Sequence, residues 1–466
     1  MTFVKRCITI RNFSFVIVLM GFGAVLCAPK SAFAQATLSP DAPAGTPIQH
    51  LIMLMQENHS FDNYFGTYPG ANGIPDGVCM PVNPFDSKST SCVAPFHIGD
   101  TEVTLEDPDH STLTARSQYN DGLMNGFVYA LNTRNQDGRL SMGYYDGRDL
   151  PYYWNIADQY VLFDNFFSSA AGGSDENHMF WVAANNAEVP DGPAKVAALN
   201  AMPTIFDRLQ AKGISWKFYV QNYEPKLNYR TIAQFPGNRA SQVIWVPLLN
   251  FDRFIDDPTL ASHIVDINQY YDDLKNGTLP SVSFLVPSGP SEHPPSNILS
   301  GQRFVRTLIQ SLMQANYWNN SAFVWAYDDW GGWYDHVPPP QVDDQGYGFR
   351  VPALLVSPYA KQGAIDHTLL DYTSILKFIE DNWGVTSLSK RDTNANSITS
   401  AFDFQQTPRP ASFVPFDRVT TEETTDPNRI IVFITYGLAI ILGVTLFMFA
   451  IRYPGRLIRI ARKVEE

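Results

Sequence analysis

Six short runs rich in aliphatic, β-branched and aromatic residues recur along the chain, at 48–55, 160–163, 214–220, 282–286, 323–327 and 351–356. Runs of this length and composition predict buried strands. Between them lie helical patterns. Phe304, Val305, Leu308, Ile309, Leu312 and Met313 recur at helix spacing, as do Leu369, Tyr372, Ile375, Leu376 and Ile379 after the candidate caps Asp366 and Thr368. Strands alternating with helices predict an α/β fold, a layered core on a largely parallel sheet. Two loop-rich insertions, 66–150 and 221–262, interrupt it and are expected to cover the active face. In open sheets of this kind ligands bind beyond the carboxyl ends of the strands, so the residues that follow each run matter most.

The two ends carry separate signals. Lys5, Arg6 and Arg11 precede an apolar run and then Ala32-Phe33-Ala34, the pattern of a secretory signal peptide over 1–34. Residues 430–451 hold no charge and have the length of a membrane-spanning helix. Arg452, Arg456, Arg459, Arg462 and Lys463 follow it, which predicts a cytoplasmic tail over 452–466 and a body on the outer side. The expected organisation is a catalytic domain over 35–398, a Thr-, Pro- and Asp-containing stalk over 399–429, and a single-pass anchor. Between Gln35 and Asn428 stand 44 acidic and 23 basic side chains, a net charge of −21, which argues against nucleic acid as a partner. Only Cys79 and Cys92 remain outside the signal segment, and an oxidising compartment predicts that they form a disulfide.

The polar residues gather where the strands stop. The first run leads into Gln56-Glu57-Asn58-His59-Ser60-Phe61-Asp62. That at 323–327 ends in Asp328-Asp329-Trp330-Gly331-Gly332, with Asp335 and His336 close behind, and that at 282–286 is followed by Ser291-Glu292-His293-Pro294. Gly172-Gly173-Ser174 follows the run at 160–163 and opens a segment that can be a helix. Taken singly, each has an ordinary structural role as a turn, a cap or a surface histidine. Taken together they are a set of hard oxygen donors (Glu57, Asn58, Asp328, Asp329), a hydroxyl at a helix start (Ser174) and candidate proton carriers (His110, His293, His336). A cation held by such donors can lower the pKa of a hydroxyl and stabilise an anionic oxygen, which is what phosphoryl transfer requires. Oxygen-rich ligation favours Ca, Mg or Mn over Zn.

At these residues the sequence resembles a bacterial phosphoesterase family that includes secreted phospholipases C and a related acid phosphatase. The resemblance rests on His50 through Gly66, Ser291-Glu292-His293-Pro294, Tyr327 through Val337, Arg350-Val351-Pro352 with Val356-Ser357-Pro358, and Asp366-His367-Thr368. It implies an alkaline-phosphatase-like α/β/α core in which Glu57, Asn58, Asp328 and Asp329, together with Ser174, bind a divalent metal. Ser174 would be the nucleophile, and His293, with His110 and His336, would contact the phosphoryl group or assist the leaving group. Phospholipase members often carry Thr where Ser174 stands, so the substrate stays open between a phospholipid diester and a phosphate monoester. A non-catalytic envelope binding domain on the same fold is the reading of a different class. Neither the oligomeric state nor a role for His367 follows from the residues.

Overall fold

The computed structural model describes residues 43–99, 106–186, 193–289, 291–294, 297–418 and 427–452. The expected signal peptide, and the expected tail beyond Arg452, lie outside these residues. The sheet has eight strands: β1 His50–Gln56, β2 Val161–Phe163, β3 Trp216–Val220, β4 Ile264–Asp266, β5 Val282–Val286, β6 Ser321–Tyr327, β7 Ala353–Val356 and β8 Ala364–Asp366. Their spatial order is β8-β2-β7-β6-β1-β5-β3-β4. All neighbours are parallel except β7, which runs antiparallel to both β6 and β2. β1, β5 and β6 are buried almost throughout, as strands covered on both faces must be.

The side chains show what covers each face. Met53 is in register with Phe284 and with Val324, so these three point to the same side. On that side Phe284 meets Trp181 of α3 (Ser174–Ala183) and Phe206 of α4 (Ile205–Lys212), with ring centroids 4.5 and 4.7 Å apart. Trp325, one residue further along β6, points the other way and meets Tyr153 of α2 (Pro151–Gln159) at 5.6 Å. Tyr219 likewise meets Tyr270 of α5 (Asn268–Asn276) on this second face, and the Tyr270 hydroxyl bonds to the Leu308 carbonyl of α6 (Ile298–Gln314). The core is therefore a three-layer α/β/α sandwich.

Several expectations shift. β4 and β8 are three residues long and each ends in an aspartate, so neither forms an apolar run like the one that announces β2. Asp366 ends β8 and does not cap a helix; α7 (Tyr372–Trp383) begins later, with Asp371 as its N-cap. The stalk expected from Thr399 instead packs on the body as far as Arg418. Ala401 and Phe402 are buried, Phe402 stacks on Phe378, the Trp318 indole bonds to the Arg409 carbonyl, and Arg418 pairs with Asp158. Aromatic side chains spaced among Pro and Thr have no secondary-structure period, so their burial is invisible until the neighbouring surface is known.

A helix spans Pro427–Arg452. The side chains of residues 427–433, 446–447 and 449–451 lie outside the described residues. Among the described residues no helix is long and apolar enough to cross a membrane, so the anchor expected at 430–451 is without support in the structure. Cys79 and Cys92 do form a disulfide, which ties the small ribbon of Met80–Pro81 and Cys92–Val93.

Candidate active site

Register brings the acidic residues together. Gln56 and Tyr327 are paired at the ends of β1 and β6, so Glu57 and Asp328 leave adjacent strands side by side, and the Asp328 amide bonds to the Gln56 carbonyl at 2.9 Å. β5 flanks β1 on its other edge, and the loop beyond it returns so that the Ser291 carbonyl accepts the Glu57 amide at 2.9 Å. Gly331 and Gly332 have φ of +61° and +78°. A Cβ at Gly331 would stand 2.2 Å from the Asn58 carbonyl oxygen, so only glycine lets the two loops approach this closely. The Gly331 amide in turn donates to Asp329 Oδ1 at 2.8 Å.

Ser174 is the first residue of α3, and its hydroxyl donates to Asp329 Oδ2 at 3.3 Å. Four residues on, on the same helical face, His178 is buried with Nε2 at 3.8 Å from Glu57 and 3.7 Å from Asp328. Asn58 Nδ2 donates to His110 Nε2 at 3.0 Å, while His110 Nδ1 donates to the Pro108 carbonyl. His293 stands beside His110, with ring centroids 5.7 Å apart. Its Nδ1 faces the Pro294 carbonyl, which can only accept. Ser174, His110, His293, Asp107, Asp109, Asp175 and Glu176 all border one open cavity of about 700 Å³.

The electrostatics are those of crowded carboxylates. Burial, together with the neighbouring Asp329 and Glu57, holds the Asp328 carboxyl well above its ordinary pKa. Burial also raises Asp329, against the pull of His110. Burial alone would lower the His110 imidazole, but Asp329 and Asp107 outweigh it and the net shift is upward. Glu57, His178 and Asp328 place one ligand atom each within 4.8 Å of one another, a group that could hold a metal ion. Asp328 Oδ2, Asn58 Oδ1 and both His178 nitrogens are buried without a hydrogen-bond partner, and a bound cation would take the oxygens and His178 Nε2, the nitrogen that faces Glu57 and Asp328. The residues therefore fit a divalent metal.

The structure brings together Glu57, Asn58, Ser174, His110, His293, Asp328 and Asp329, and leaves His336 elsewhere. After Gly332 the chain turns away: Tyr334 bonds to Ser141, and His336 Nδ1 pairs with Asp62 at 2.7 Å in a knot with Arg350 and Asp335. His336 is held by the guanidinium's carboxylate partners and does not border the Ser174 cavity, which corrects its expected contact with the phosphoryl group. His367 pairs with Asp164 at 2.8 Å, and its side chain is 67% exposed. The sequence reading assigned no role to His178 or Asp107. The i, i+4 spacing of His178 from Ser174 is the signal that could have found the former. Its nitrogen also removes the ground for setting Zn aside.

Comparison with known proteins gives the class: the protein is a phosphoric ester hydrolase. The chain belongs to the Phosphoesterase family, whose model matches residues 48–386. It is 30% identical over 424 residues to Phospholipase C B of Mycobacterium tuberculosis, across 78% of this chain and 80% of that one. It is 26% identical over 418 residues to the Non-hemolytic phospholipase C of Pseudomonas aeruginosa, across 77% of this chain and 57% of the relative. Among solved structures, a protein in the alkaline phosphatase superfamily from Vibrio parahaemolyticus superposes with a TM-score of 0.37 at 13% identity, covering 78% of this chain and 74% of that one.

Proposed function

We propose that the protein cleaves the phosphodiester of a phospholipid outside the cytoplasm through a phosphoserine at Ser174. The observation that carries this reading is the Ser174 hydroxyl bonded to Asp329 at the edge of the cavity, with His110 and His293 bordering it and unpartnered donors beneath. Glu57, Asn58, Asp328 and Asp329 would hold a divalent cation, with His178 beside them. Such a cation supplies Lewis-acid polarisation of a phosphoryl oxygen and a lower pKa for the attacking hydroxyl.

The chain's own groups do the rest. Ser174 Oγ passes its proton to Asp329, to which it is hydrogen-bonded, as it attacks phosphorus; the bond to the diacylglycerol oxygen breaks on the opposite side, and a histidine proton goes to that oxygen. His293 Nε2 is free to carry the proton because its Nδ1 is committed to the Pro294 carbonyl. His110 accepts the Asn58 amide at Nε2 and donates from Nδ1 to the Pro108 carbonyl, which fixes the imidazole beside His293 where both border the cavity. Water then attacks the phosphoserine, losing its proton to the histidine left neutral, and Ser174 departs with the proton returned by Asp329, which restores the starting state.

The test is a panel of phosphate monoesters, phosphodiesters and intact phospholipids, assayed under Ca, Mg, Mn and Zn. Diester cleavage that requires one of these metals and is lost by several orders of magnitude in Ser174→Ala is the expected result. Turnover of monoesters alone would reassign the enzyme as a phosphatase. Ser174→Ala with near-normal turnover would move the nucleophile elsewhere, and hydrolysis of nothing would leave a binding domain.

A further inference from the structure

We propose that Glu292, which lies outside the cavity, is the positioning residue that sets His293 for proton transfer. Its backbone has a φ of +73°, the left-handed conformation that a residue with a side chain keeps only where its surroundings enforce it. The enforcing groups are visible. The Glu292 carboxylate is completely buried and accepts from three tyrosine hydroxyls: Tyr64 at 2.6 Å and Tyr327 at 2.7 Å on Oε2, and Tyr153 on Oε1. Gln56 Nε2 adds a longer contact to Oε1 at 3.4 Å. α6 makes room for the carboxylate only because residue 301 is glycine; a Cβ there would stand 2.0 Å from Oε1.

These four partners come from four places in the fold. Tyr64 lies in the short helix α1 (Phe61–Phe65), Tyr153 in α2, and Gln56 and Tyr327 are the last residues of β1 and β6, immediately before Glu57 and Asp328. Glu292 is thus moored to the ends of both central strands. With φ positive at 292, the Glu292 side chain turns into the core while His293, the next residue, borders the cavity. The backbone on either side is held too: the Ser291 carbonyl accepts the Glu57 amide, and the Glu292 carbonyl faces His59 Nε2 at 3.3 Å. A carboxylate with acceptor capacity on both oxygens is the group this cage of donors fits; an amide would turn an N–H₂ toward hydroxyls that now donate.

The inference rests on the reading of His293 as the acid for the leaving group, and its test separates the two. Glu292→Gln, His293→Ala and the double variant are compared on bis(p-nitrophenyl) phosphate, whose leaving group departs without a proton, and on a diacylglycerol phosphodiester in mixed micelles, whose leaving group needs one. Glu292→Gln is expected to lower kcat on the lipid at least about thirtyfold more than on the aryl ester, with KM changed less than threefold. The double variant should be no slower on the lipid than His293→Ala, because Glu292 acts through His293. If Glu292→Gln slows both substrates equally, or if its loss adds in full to that of His293→Ala, Glu292 is a packing residue and the inference is wrong. If His293→Ala itself shows no leaving-group dependence, the proton-donor reading of His293 falls first. Should Glu292→Gln fail to fold, Tyr153→Phe removes one donor from α2 and is read on the same two substrates, with the same selective loss expected and an equal loss on both overturning the proposal.

Discussion

Three buried carboxylates with unpartnered neighbours make a sharp prediction about Asp328→Asn: it should reverse sign with metal. The wild-type body gains stability from any cation that binds only the folded form, about 2.7 kcal/mol at a free concentration 100 times the Kd. For a folded body of about 370 residues the unfolding entropy is roughly 0.8 kcal/mol/K, so the metal should raise Tm by ~3 °C. Asp328→Asn should lose that increment. In chelator the order should invert. The Asp328 carboxyl is raised above its unfolded value by burial and by Asp329 and Glu57. A raised acid is a source of stability at low pH that disappears as the pH climbs through the folded pKa. At pH 8 the metal-free wild type carries that loss, and the asparagine does not. Differential scanning calorimetry at pH 8, with EDTA and with each divalent metal, reads both halves. A wild type whose Tm ignores EDTA, or an Asp328→Asn protein less stable than wild type in EDTA, would refute the assignment of these carboxylates to a cation.

Gly331→Ala places a Cβ 2.2 Å from the Asn58 carbonyl at a φ of +61°; it should cost on the order of 10²-fold in kcat/KM by displacing Asn58 from His110, measured on any cleaved diester. His59 is buried between the Tyr64 and Trp333 rings, and burial lowers its pKa to about 3 from 6.5. The stability it contributes is complete above pH 6.5 and is lost as the pH falls toward 3, at up to ~1.4 kcal/mol per pH unit. Urea titrations at pH 4.5 and 7 should therefore show a smaller acid loss in His59→Gln than in wild type. Cys79 and Cys92 are 13 residues apart, so Cys92→Ser should cost ~3 kcal/mol in the same titrations, and thiol labelling without reductant should find neither cysteine free.

How much of this could be read in the sequence depended on the range of the interaction. Apolar runs that stop at Gln56 and Tyr327 announce strands, and parallel strands paired to their last residue must deliver Glu57 and Asp328 to the same edge. Ser174 at a helix start, and the disulfide, were legible for the same reason, because each rests on local pattern or on a count. What only the tertiary structure decided rests on contacts between segments far apart in sequence. The direction of β7, the packing of Phe402 on Phe378, the departure of His336 to Asp62 and Arg350, the entry of His178 between Glu57 and Asp328, and the tyrosines closing on Glu292 are of this kind. Spacing within one element shows which residues share a face. It does not show what lies opposite, because that is set by strand order and by the close packing of side chains brought from elsewhere in the chain.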